Sequence, residues 1–139
     1  MKAIRALIDT NIIIDMIIKR EPFVEASQQI YDLAGEGEIK GYLCATTFTN
    51  FQYILRRLLG PSVTLRHIRT LLSAFAVAPV DQAILTAAAN NGMKDFEDAV
   101  ICESAKRVKA KYIITRDSKD FAHCGIPALT PAEFLVLPR

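Results

Sequence analysis

Three cysteines and two histidines are all that the 139-residue sequence offers of those residue types, and neither forms a recognisable metal or redox motif. Cys44, Cys102 and Cys124 show no CxxC pair and no zinc-ligand spacing. An odd number of cysteines, each in apolar surroundings, predicts reduced core thiols in a cytosolic protein. A nucleophilic cysteine needs a base, and the adjacency of His123 and Cys124 in sequence does not make a dyad. Glycine-rich phosphate loops are missing: neither GxxxxGKS/T nor GxGxxG occurs, which argues against nucleotide cofactors. Arg5, Asp9 and Asp15 interrupt the apolar N-terminal stretch well short of a membrane span. With no signal-peptide pattern visible, a cytoplasmic location without membrane contact is expected. Nor is there much charge of one sign. The formal net charge of +2 is too small to argue for nucleic acid by itself. Two local basic groups, Arg56, Arg57, Arg66, His67 and Arg69, then Lys106, Arg107, Lys109 and Lys111, read as solvated helix faces unless an active site lies beside them.

What is present is a regular alternation of apolar segments, without repeat, low-complexity stretch or linker, in a chain of single-domain size (residues 1–139). Strands are predicted over 3–8, Gly41–Ala45, Phe75–Val80, Lys111–Thr115 and Ile126–Leu129. Pro79 puts the end of the third in question. Helices are predicted over Ile12–Ile18, 23–34 with Pro22 as its first residue, Thr46 or Thr47 to Leu59, 62–73, Asp81 to Asn90 and Asp95 to about Val108, with a last turn from Pro131. Strands alternating with helices imply an α/β fold, a mostly parallel sheet of about five strands between helical layers.

Three carboxylates punctuate this pattern. Asp9 closes Ile4-Arg5-Ala6-Leu7-Ile8, Asp98 lies in Asp95-Phe96-Glu97-Asp98-Ala99, and Asp117 follows Tyr112-Ile113-Ile114-Thr115-Arg116. Ligands of parallel sheets bind at the carboxyl ends of the strands, where Asp9 and Asp117 are expected. Asp95 and Asp98, three apart, share a helix face near a positive dipole end, whereas Glu97 is expected to point elsewhere, roughly 100° around the helix. Each acid has an ordinary structural alternative: Asp9 and Asp95 as helix caps, Asp98 as a first-turn acid, and Asp117 with Asp120 as turn formers. Together they repel one another and call for a cation, and oxygen-only ligands suit Mg²⁺ or Mn²⁺. Such an ion can activate water and stabilise the leaving oxygen of a phosphodiester, which points to hydrolysis of a nucleic-acid backbone.

Leu7-Ile8-Asp9-Thr10-Asn11, Asp95-Phe96-Glu97-Asp98-Ala99 and Ile114-Thr115-Arg116-Asp117 with Lys119-Asp120-Phe121 occur in order, and over almost its whole length the chain resembles the PIN-domain family, including VapC-type toxin ribonucleases. The resemblance implies a three-layer α/β/α sandwich and Mg²⁺- or Mn²⁺-dependent cleavage of RNA. By it, Asp9, Asp98 and Asp117 are the metal-binding and catalytic acids, with Asp95 and Asp120 accessory. The acid usual on the helix after the second strand is absent; Asn50 stands at that position, bringing an oxygen but no charge. On helical spacing Asn50, Tyr53 and Arg57 share a face, which either presents Arg57 to phosphate or leaves Tyr53 half-buried and Arg57 solvated. Asn11, Asn50, Arg57, Thr115 and Arg116 are the expected substrate-facing residues. The resemblance further implies a homodimer and an antitoxin that reaches into the acidic site. Two other readings remain: a PIN fold that has lost turnover and holds RNA or a protein, suggested by Asn50, and a receiver-like signalling domain, which lacks the required later Lys.

Overall fold

The computed structural model describes residues 2–138. Five strands form one sheet: β1 (Ile4–Ile8), β2 (Ile39–Cys44), β3 (Ala76–Ala78), β4 (Tyr112–Ile114) and β5 (Ala128–Leu129). Their order is β3-β2-β1-β4-β5 and every neighbouring pair is parallel. Seven α-helices accompany them among the described residues: α1 (Thr10–Ile17), α2 (Val24–Gly35), α3 (Ala45–Leu59), α4 (Pro61–Ala74), α5 (Gln82–Asn90), α6 (Phe96–Arg107) and α7 (Pro131–Leu135).

The two-residue alternation of the strands divides the core. Leu7, Tyr42 and Ile113 face one side and pack with Ile84 and Ala88 of α5 and with Val100 and Ile101 of α6. Ala6, Ile8, Leu43 and Ile114 face the other, against Ile12, Ile30, Phe51, Leu55, Leu71 and Phe134. Helices therefore cover both faces, and the carboxyl-terminal parts of β1 and β2, Ala6-Leu7-Ile8 and Tyr42-Leu43-Cys44, are continuous apolar runs buried on both sides, whereas Arg5 and Lys40 nearer the strand starts are exposed. From β1 the chain builds outward to β2 and β3 on one flank, then to β4 and β5 on the other. The carboxyl ends of β1 and β4 thus border the crevice where the winding direction reverses, the usual ligand position in such sheets.

Local differences from the predicted elements have physical reasons. Strand β2 begins at Ile39 and runs directly into α3, whose first turn has no side-chain cap. Thr47 instead bonds to Thr10, its Oγ1 lying 2.9 Å from that of Thr10 in the interior. Pro22 lies ahead of α2, which starts at Val24. Strand β3 is shortened to three residues, ending before Pro79. Gly60, at φ +82°, makes the sharp corner between α3 and α4. The expectation of reduced thiols is corrected: Cys102 of α6 and Cys124, 5.8 Å apart at Cα, form a disulfide, and Cys44 stays a buried free thiol. Spacing alone could not show this pairing, because α6 and the loop beyond β4 become neighbours only in the folded chain.

Candidate active site

Asp9 leaves the end of β1 and is the N-cap of α1, as its structural alternative predicts. Its Oδ1 accepts from the backbone N–H of Thr10 at 2.8 Å. Its Oδ2 accepts from the hydroxyl of Thr115 at 2.8 Å, and that hydroxyl in turn accepts from the backbone N–H of Asp117 at 3.0 Å. Asp9 is only 8% exposed. Burial raises its pKa, the Thr115 and Thr10 hydrogen bonds oppose that, and the charges of Asp117 and Glu97 add to it.

Thr115 is fully buried and its hydroxyl is engaged on both sides by protein. The expectation that it faces substrate is therefore corrected: it ties the ends of β1 and β4 together and orients Asp9. Asn11, on the first turn of α1, donates its amide to Asp117 Oδ2 at 3.1 Å, and its own Oδ1 is buried without a hydrogen-bond partner. Asp117 is exposed at the head of a 3₁₀ turn, Ser118–Phe121, that also carries exposed Asp120.

The third wall is the start of α6. Asp95 is its N-cap, accepting from the N–H of Asp98 at 2.9 Å. Asp98 is half-buried, and its pKa is pushed up to about 7, by burial first and then by repulsion from Asp95, Asp9, Asp120 and Glu97. Asp9, Asp98, Asp117, Asp95 and Asp120 are thus brought to one edge, as expected. Glu97 corrects the sequence reading: it does not point away, because the amide of Asn50 donates to its Oε1 at 2.9 Å across from α3. The 100° offset that separates Glu97 from Asp98 turns it toward α3, which only the packing of α3 beside α6 reveals.

Arg116 does not stand free toward a ligand. It pairs with the fully buried Asp15 at 2.7 Å and lies over the Phe23 ring at 4.4 Å. In sequence Asp15 is only a break in the apolar run Ile12-Ile13-Ile14-Asp15-Met16-Ile17; its pairing with Arg116 arises in the fold. A cleft of about 350 Å³ beside Asp117 is lined by Phe23, Arg116, Thr130 and Pro131. A second, of about 310 Å³, opens on the other flank between Asp95, Asp98, Asp120 and His123. Tyr53 is 67% exposed with Arg57 over its ring at 5.2 Å, so the alternative of a half-buried Tyr53 does not hold.

The donors in this crevice are oxygens, chiefly carboxylates, which match a hard divalent cation in kind. Among the described residues no three His, Cys, Asp or Glu side chains form a ready-made ligand set. No helix among the described residues is long and apolar enough to cross a membrane.

A parallel α/β/α sandwich with carboxylates gathered at its switch point defines a class of α/β protein with an acidic crevice on its carboxyl edge. The model of the PIN domain matches residues 5–119, and the chain belongs to the PIN-domain family. Solved structures similar to it include a toxin–antitoxin complex from Klebsiella pneumoniae, at 27% identity, TM-score 0.68, and coverage of 91% of this chain and 97% of that one. FitAcB from Neisseria gonorrhoeae is similar at 22% identity and TM-score 0.68, covering 91% and 98%. VapBC-1 from nontypeable Haemophilus influenzae is similar at 18% identity and TM-score 0.71, covering 93% and 99%. No curated protein matches the chain.

Proposed function

We propose that this PIN-domain protein is a Mg²⁺- or Mn²⁺-dependent endoribonuclease acting as the toxin of a toxin–antitoxin pair. The observation that carries the reading is the convergence of Asp9, Asp98 and Asp117 at the carboxyl ends of β1 and β4 and the start of α6. Its support is chemical: Asp98, pushed up to about 7 by burial first and then by repulsion from Asp95, Asp9, Asp120 and Glu97, sits among carboxylates whose mutual repulsion a cation would offset. Asp9, Asp98 and Asp117 would hold the ion, which supplies water activation and charge stabilisation at a phosphodiester.

The protein's own groups do the rest. Thr115 and the Thr10 N–H fix Asp9, and Asn11 holds Asp117. Asp95 anchors the first turn of α6, on which Asp98 sits. RNA phosphates run past Arg57, and Arg116 borders the cleft beside Asp117. The similarity to a toxin–antitoxin complex at 27% identity supports an antitoxin partner, and the reading extends to a homodimer in the cytoplasm. The test is cleavage of RNA with Mg²⁺ or Mn²⁺ by wild type, Asp9→Asn and Asp98→Asn. Activity is expected in wild type alone; equal cleavage by all three sinks the site as drawn. Asn50 favours a second reading, a PIN fold that binds RNA or protein without turnover, which predicts no cleavage until Asn50→Glu is introduced.

A further inference from the structure

We propose that Glu97 is the fourth acid of this site, supplying from α6 the charge that α3 lacks, and that Asn50 is the positioning residue that aims it. The inference rests on the metal-dependent nuclease reading and concerns which side chains build its centre.

Helix α3, Ala45–Leu59, contains no acid. Its Asn50 nevertheless reaches across the crevice and donates to Glu97 Oε1 at 2.9 Å. An amide in that place cannot replace a carboxylate's charge, but it can restrain one, since its N–H₂ is a donor matched to a carboxylate oxygen. Glu97 is exposed and on a first helical turn, where a glutamate side chain ordinarily samples many rotamers. Here one oxygen is held, and among the described residues neither Lys, Arg nor His pairs with the charge. The second oxygen, Oε2, accepts no protein hydrogen bond among those residues and is open to solvent. Glu97 and Asp98 are neighbours on α6 and diverge by roughly 100°. One faces the α3 wall and the other the end of β1, so together they span the crevice. The charge of Glu97 bears on both Asp9 and Asp98. A solvated surface glutamate would have no reason to be fastened by the opposite wall beside two other unneutralised acids. A carboxylate relocated from α3 to α6 accounts for both the missing acid and the cross-crevice bond.

Mn²⁺ binding, measured by calorimetry and by the loss of the free-ion paramagnetic resonance signal, tests this without relying on turnover. The proteins are wild type, Glu97→Gln, Asn50→Ala, Asp98→Asn and the charge swap Asn50→Glu/Glu97→Gln, each checked for folding by its circular dichroism melt. Glu97→Gln is expected to weaken Mn²⁺ by more than the roughly 10- to 100-fold that loss of an outer-shell partner costs. Asn50→Ala should cost less, because the charge remains and only its restraint is lost. The charge swap should recover most of the lost affinity by returning a carboxylate to α3. Wild-type affinity in Glu97→Gln, or a swap no better than Glu97→Gln, overturns the inference; if Asp98→Asn is weakened all the same, the nuclease reading stands. Absence of Mn²⁺ binding by wild type overturns that reading and this one with it.

Discussion

Asp9 serves as helix cap and as the most buried acid of the crevice, and both roles depend on donors that only neutralise it in part. The Thr115 hydroxyl is the stronger handle, since removing it leaves a desolvated carboxylate oxygen unpaired. Thr115→Val keeps the shape and is expected to destabilise the fold by about 1.5–3 kcal/mol, read from the urea midpoint. An unchanged midpoint would mean that water takes the hydroxyl's place. Asp98, like Asp9, has its pKa raised by burial. Its folded pKa of about 7 lies above its ordinary value, so ionisation works against folding. In chelator, stability from this group is fully present below the ordinary carboxylate pKa and is lost as pH rises through about 7. The melting temperature of wild type in EDTA should therefore fall between pH 5 and pH 8 more than that of Asp98→Asn, with the variant the more stable at pH 8. Parallel pH slopes for the two proteins contradict the burial and repulsion assigned to Asp98.

Each wall of the site belongs to a different element, and the elements are tied by few side chains. Thr10 and Thr47 join α1 to α3, Asn50 and Glu97 join α3 to α6, and Asn11 and Asp117 join α1 to the turn after β4. The disulfide fastens α6 to the segment beyond that turn, closing a loop of 22 residues that contains β4 and Asp117. Constraint of the unfolded chain by a loop of that length is worth about 3 kcal/mol. The double variant Cys102→Ser/Cys124→Ser should lose that much in denaturant melts, and reduction of wild type should match it. A reductant-insensitive wild type would show that the two thiols are not joined in solution. Element boundaries were legible where a residue acts locally: Asp81 and Asp95 cap their helices as expected, and Pro131 opens α7. They were misread where a distant partner intervened, as at Thr47, whose hydroxyl goes to Thr10 and leaves α3 uncapped.

Across the whole molecule, the small net charge of +2 conceals an acidic edge and separate basic patches. The two patches are not equivalent. Lys106 and Arg107 are engaged by Glu103 and Asp81, whereas Arg57 makes no ion pair among the described residues. Arg57 lies seven residues beyond Asn50, about 10 Å along α3 and on the same face. Arg57→Ala should flatten the salt dependence of single-stranded RNA binding by about 0.7 in slope, while Lys106→Ala leaves it unchanged. Equal slopes for wild type and Arg57→Ala would remove α3 from the path of the RNA.

By itself the sequence determined the alternation of strands and helices, the parallel sheet that follows from it, and the edge on which Asp9, Asp98 and Asp117 had to meet. Those are consequences of hydrophobic period, caps and chain direction, all of them local. Only the tertiary structure decided that Thr115 faces inward to Asp9, that Arg116 is held by Asp15, that Cys102 meets Cys124, and that Asn50 reaches Glu97. Each of these is a contact between residues at least 22 positions apart. Such contacts depend on how helices pack across a crevice, and residue spacing within one element carries no record of that.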